Sequence, residues 1–404
     1  MLFDTLINTE LEIYQAEKKF EIINRLYAIP DLLDNSSFKI TDILSLGYSE
    51  DESKKIVDVF KYEQLIEEKI SIECYHKDET DEISNVMEKC PICNNTIDEE
   101  NHEMEPIFIG ISAGEELRGK IIENICVHFI NKDYIYNFNS LKERICNNKV
   151  VPFIGAGMSK PLGAPGWTEL FLLFSETISS EGRSTYESLV DKGKYFDAIN
   201  ILYNFSNTFK SDDRLRERAA AIIEEKINYY SPHDLHNYHD LLTLNFPYYL
   251  TTNYDNAINH CQKKFSTPLE IEEIENIQSF LESNKSQVVH LHGIIDKPST
   301  MVLTKGDYIK KYNDNLIYQQ KLSALMSAKS LLFLGFSFYD QYFDKLYNFI
   351  HKSIGGNHFL VTHRITEEQN EKLIKQNITP ILIEASSESE LVFVLKYFFK
   401  NLKY

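Results

Sequence analysis

The sequence predicts an α/β protein: a Rossmann-like, doubly wound parallel sheet from about residue 141, preceded by a smaller, mostly helical domain. Three observations predict it. Apolar runs of strand length ("VVPFIG", "YYLTTNYD", "VVHLHGIID", "SLLFLGFSF", "NHFLVTH", "TPILIEA") alternate with helical stretches such as "WTELFLLFSETI". Runs that are apolar throughout suit parallel strands covered on both faces, and their alternation with helices implies a layered α/β sheet. Several runs end in Gly, Asn or Asp, at the carboxyl ends where such sheets bind ligands. Finally, 404 residues exceed one comfortable core, so two domains are expected, 1–140 and 141–404.

Bulk properties narrow the function classes. A net charge of -19 provides no global basic field for nucleic acid or anionic lipid. No stretch approaches the roughly 18 uninterrupted apolar residues of a membrane span. The N-terminus carries acids early and lacks a signal-peptide core. Six cysteines scattered over this length make no disulfide framework. The expectation is a cytoplasmic protein with no membrane partner.

In the N-terminal domain, Leu2, Leu6, Ile7, Ile13, Phe20 and Ile23 suit a helix. After Pro30 come "SSFKITDILSLG" and "SEDESKKIVDVFKYEQLIEE", the second with Ser49 as its expected N-cap, and then the alternating "KISIECY". Helices followed by a strand match a winged helix in outline; a helical docking module fits the same pattern. An acidic polar run, "HKDETDEISNVMEK", leads into "CPICNNTIDEENH". Cys90 and Cys93 there form a C-x-x-C pair, half a zinc site, with Cys74, His76, His102 and Cys126 as candidates to complete it. A metal-free reduced turn is the competing reading.

Four motifs in the second domain carry the chemistry. In "VVPFIGAGMS", Gly155 and Gly157 stand where a strand turns into a helix; glycine there permits positive φ or lets a phosphate reach backbone N–H groups. A tight turn alone explains them equally. In "YYLTTNYD", Asn253 can hold a ribose hydroxyl or a water, and Asp255 either caps the next helix or acts in catalysis. In "VVHLHGIID", strand alternation places His290 and His292 on one face, as metal ligands or with one of them as a proton-transfer group. In "LLFLGFSFYD", Gly335 permits close approach of a cofactor and Ser337 offers it a hydroxyl.

The four motifs in this order resemble the sirtuin fold, and residues 141–384 are similar to the sirtuin-like NAD-consuming domains of bacterial anti-phage defence. "GAGMSKPLGAPGWTEL", "TTNYD" and "VLTKGDY" carry the likeness to that branch. The resemblance implies that Gly155, Ala156, Gly157, Ser159 and Thr252 contact NAD, with Gly335 and Ser337 at the adenine-side ribose. It implies Asn253, His292 and Asp255 as catalytic residues. Protein deacylases of this fold carry a four-cysteine module between His-Gly and Gly-x-Ser, whereas no cysteine lies between His292 and Gly335. Water is then the expected acceptor and the expected activity is NAD hydrolysis to nicotinamide and ADP-ribose, depleting NAD in antiviral defence. A non-catalytic sensor of NAD or ADP-ribose, or a deacylase, is the alternative. The resemblance further implies a homo-oligomer and a partner such as an ATPase or helicase, an Argonaute-type protein or a phage trigger protein.

Overall fold

A computed structural model describes residues 19–35, 37–111, 114–261, 267–283, 286–327, 329–336 and 356–403. The chain divides into two compact units, Met1–His128 and Phe129–Lys403, against the boundary after residue 140 expected above.

In the first unit, helices Lys19–Asp34, Ile40–Ser45 and Glu50–Tyr62 precede strands β1 (Ile66–Cys74), β2 (Glu79–Ile83) and β3 (His102–Gly110). Ser49 caps the third helix, accepting from the Glu52 amide while the Glu52 carboxylate reaches back to the Ser49 amide. The strands form an antiparallel sheet in the order β2-β1-β3, and Phe38, between the first two helices, bridges to Phe108 of β3. Helix, short extended segment, two helices and a sheet follow the element order of a winged helix. Strand β2 lies inside the acidic run read above as polar connection; four of its five residues are exposed, so burial left no apolar pattern there. The apolar positions Leu2 to Ile13 lie outside the described residues.

The second unit is built on seven parallel strands. They are β4 (Val150–Ile154), β5 (Tyr248–Thr251), β6 (Leu269–Glu270), β7 (Gln287–His290), β8 (Ser330–Leu334), β9 (His358–Thr362) and β10 (Ile378–Leu382), in the order β10-β9-β8-β4-β5-β7-β6. Every residue of β4, β5 and β8 is buried, which is why these runs read as continuously apolar. From β4 the chain first builds outward through β5, and later returns to β4's other side through β8. The crevice between β4 and β8 is therefore the topological switch point, where open α/β sheets bind ligands. Register aligns the strand ends: Ile154 pairs with both Thr251 and Leu334, and Thr251 pairs with His290. Gly155, Thr252, Leu291 and Gly335 consequently emerge in one row at the carboxyl edge. This parallel α/β sheet is a Rossmann-like fold.

Candidate active site

At the switch point two bare backbones cross. The Gly155 amide donates to the Leu334 carbonyl (2.8 Å) and the Gly157 amide to that of Gly335 (2.9 Å). A Cβ on Gly155 meets the Gly335 oxygen at 2.7 Å, and one on Gly157 meets the Gly335 Cα at 2.9 Å. Gly335 has φ +72°, and a Cβ there comes within 2.5 Å of the Met158 nitrogen. This corrects the reading of the motif. Gly155 is extended (φ -112°), so the left-handed conformation is required at Gly335 rather than Gly155. The Met158 and Ser159 amides donate to the Gly155 and Ala156 carbonyls, so these two N–H groups are satisfied within the turn.

Beside this crossing lies a cavity of about 590 Å³. Ala156, Gly157, Thr252, His292 and Gly335 line it, with Trp167 from helix Trp167–Phe174 and Leu391 from helix Glu388–Lys403 on its walls. Ser337 lies outside the described residues. Thr252 also lines a smaller adjoining pocket shared with Ala156, Trp167, Asn253 and Asp255.

Asn253 sits just past β5, its amide donating to Thr251 Oγ1. Its side-chain Nδ2 donates to the Gly155 carbonyl (3.2 Å) and Ser159 Oγ (3.1 Å), while its buried Oδ1 has no hydrogen-bond partner. Ser159 is fully buried: it donates to Asp255 Oδ1 (3.0 Å), and its oxygen lies 2.7 Å from the Tyr238 hydroxyl. Neither Ser159 nor Asn253 is part of the lining of the large cavity; Asn253 lines the smaller pocket. Asp255 Oδ1 also accepts the Ala257 amide at the start of helix Ala257–Cys261, which is the capping arrangement. Burial raises its pKa.

The two histidines have separate environments, against the expectation of a shared face, because β7 ends at His290. His290 Nδ1 lies 3.0 Å from the Asn253 carbonyl and Nε2 lies 3.3 Å from the Asn259 side chain, so this ring braces the Asn253 loop. His292 Nε2 faces the Tyr312 hydroxyl (2.8 Å) and the Tyr308 hydroxyl (3.3 Å), and Nδ1 is buried without a partner. Burial, and secondarily Lys311, lowers its pKa to about 3; burial brings His290 to about 4. Both rings are neutral near pH 7.

Tyr308 and Tyr312 were not singled out by the sequence reading. Lys305–Tyr308 is helical and continues as a π turn, Ile309–Asn313, which stacks the two phenol rings 5.0 Å apart beside His292. The tyrosine spacing of four in "GDYIKKY" is the only signal. Arg216 anchors this element: it is paired with Asp213 (2.7 Å) and Asp307 (2.5 Å) and donates to the Met301 carbonyl. In the first unit, Cys74, Cys90, Cys93 and His102 come together, their ligand atoms all within 4.8 Å of one another. His76 and Cys126 are not among those four.

The second unit is thus an α/β domain with its candidate site at the carboxyl edge of a parallel sheet. Residues 247–381 are similar to a SIR2-like domain, whose family model matches that stretch. The chain is 27% identical over 195 residues to the NAD(+) hydrolase ThsA of Bacillus cereus (strain MSX-D12), covering 48% of this chain and 38% of that protein. It is 29% identical over 205 residues to the NAD(+) hydrolase ThsA of Acinetobacter baumannii (strain 532279), covering 50% and 39%. To Defense-associated sirtuin 2 of Bacillus subtilis it is 23% identical over 231 residues, 55% and 21%. The chain spans less than half the length of these curated relatives. Among the described residues, no helix is long and apolar enough to cross a membrane.

Proposed function

We propose that the unit Phe129–Lys403 binds NAD in the cavity and hydrolyses its nicotinamide–ribose bond, depleting NAD in bacterial antiviral defence. One observation carries this reading. Asn253 Oδ1 and His292 Nδ1 are buried polar atoms without partners, from residues just past neighbouring strands at the sheet's ligand-binding edge. Buried polar atoms are nearly always satisfied in folded proteins, so two open ones here point to a polar ligand. The named activity of the ThsA relatives supports NAD as that ligand.

In the proposed reaction the C–N bond breaks with its electron pair leaving on nicotinamide, and water adds to the oxocarbenium-like ribose and loses a proton. Asn253 Oδ1 accepts a hydrogen bond from that water or from a ribose hydroxyl. With its Nε2 hydrogen directed to Tyr312, His292 keeps a lone pair on Nδ1 to take the proton. The anionic diphosphate of bound NAD favours the imidazolium and raises the low pKa of the empty site. Ala156, Gly157, Thr252 and Gly335 are the residues we assign to contact with NAD. Ser159 and Asp255 hold Asn253 in place. Regulation we assign to the N-terminal unit, through a homo-oligomer or a trigger protein.

The test is incubation of the full-length chain with NAD, alone and with the products of neighbouring genes, reading nicotinamide and ADP-ribose by chromatography. Equimolar release of both products is expected. NAD bound without release is the result expected of a sensor, and the absence of both binding and release would contradict the proposal.

A further inference from the structure

We propose that Cys74, Cys90, Cys93 and His102 form a structural zinc site in the N-terminal unit. It stands on the first unit alone and is independent of the NAD reading. Cys74 and His102 are cross-strand partners closing one end of the β1–β3 pair, so their side chains start from adjacent positions on one face of the sheet. Cys90 and Cys93 come from the loop Cys90–Asn94. There the Asn94 amide donates to the Cys90 carbonyl (2.8 Å), Asn94 takes φ +62°, and Lys89 bridges to Thr96. That turn brings the two sulfurs to the same place as the strand pair.

The donor set fits the ion. Tetrahedral zinc with Zn–S near 2.3 Å and Zn–N near 2.0–2.1 Å sets its ligand atoms roughly 3.5–4 Å apart. Here the four ligand atoms lie within 4.8 Å of each other, with Cys93 Sγ 3.4 Å from His102 Nε2. Three of the four residues are buried. His102 Nδ1, the ring nitrogen away from Cys93, lies 3.4 Å from the Asp98 amide, which donates to it, and 4.0 Å from Asp98 Oδ1, so Asp98 holds the ring with Nε2 toward the sulfur.

The surroundings also call for a staple. Among the described residues, the buried cluster around the site holds Ile72, Cys74, Ile83 and Cys90, with Ile70, Ile92, Cys93 and Ile97 partly buried against it, and β2 is exposed over most of its length. A hairpin with so little apolar burial is marginal by itself, and small modules of this kind are commonly held by metal. Binding converts three thiols to thiolates and releases three protons to the buffer; with neutral His102 the occupied site carries one negative charge. No position is left open for a substrate, which makes the site structural.

The test is metal analysis of the full-length chain purified without chelator, followed by exchange of the metal for Co²⁺. About one zinc per chain is expected, and the cobalt form should show the thiolate-to-metal charge-transfer band and intense visible bands of a tetrahedral site. The Cys90→Ser, Cys93→Ser double variant should lose the zinc. His102→Cys, which preserves four ligands, should retain it, so loss through misfolding is distinguishable from loss of a ligand. A wild-type chain with neither zinc nor a cobalt–thiolate band overturns the proposal. So does iron in place of zinc, or full zinc content in the double variant, which would place the ion elsewhere, as at His236, His239 and Cys261.

Discussion

The glycine crossing at Gly155, Gly157 and Gly335 and the Asn253–His292 pair occupy the same edge of the same sheet, but their polar groups are spent differently. At the crossing, the backbone donors of Gly155, Gly157, Met158 and Ser159 are all satisfied within the protein. At the pair, Asn253 Oδ1 and His292 Nδ1 are left open although both are buried. Glycine at the crossing makes room for another backbone, and Gly157 and Gly335 also line the cavity; the open atoms at the pair are the ones the proposed function leaves to the ligand.

The comparison is sharpened first by His292→Ala and Asn253→Ala. A positioned proton-transfer group contributes on the order of 100- to 10,000-fold, so each should cut nicotinamide release by that much while the melting temperature changes little. Loss of fold instead of turnover would move these residues to the scaffold side. Next, Gly335→Ala should destabilise the second unit by roughly 2–4 kcal/mol, from left-handed strain plus the clash with the Met158 nitrogen, as read by denaturant unfolding. A smaller loss is expected for Gly157→Ala, whose Cβ meets Gly335 at 2.9 Å with no φ penalty. Unchanged stability in both, with weakened NAD binding alone, would restore the phosphate-cradle reading.

Acid stability separates the regions further. His290 and His292 titrate near 4 and 3 in the folded chain but near 6.5 when unfolded, so below 6.5 the unfolded state binds more protons. Stability of the second unit should therefore be flat with respect to these groups above pH 7 and fall from pH 6.5 toward 4. Each contributes a slope of up to about 1.4 kcal/mol per pH unit. His290→Asn should reduce that slope; an unchanged profile contradicts the buried neutral ring. The smallest expected effect is Tyr312→Phe, which removes one hydrogen bond to His292 Nε2 and should lower turnover roughly 2- to 10-fold with little change in KM.

What could be read beforehand follows the same division. Buried strands announce themselves as apolar runs, so six of the seven strands and the order of the motifs were legible, while the two-residue β6 was too short to leave a run. The capping role of Asp255, one of its two sequence readings, needed only local geometry. The crossing itself was not legible, because a neighbouring backbone leaves no trace in the sequence of the glycine it touches. Tyr308 and Tyr312 reach His292 through a π turn, and their spacing of four does not by itself say which residue they face. Cys74 and His102 needed the β1–β3 register to become neighbours, and β2 was hidden by having almost nothing to bury.

The central claim, that Asn253 and His292 react where the glycines build, is tested most directly by measuring NAD affinity and nicotinamide release on the same His292→Ala preparation. The account predicts NAD binding within a few-fold of the wild-type chain and release reduced on the order of 100-fold or more. Wild-type rates of release from this variant would contradict it.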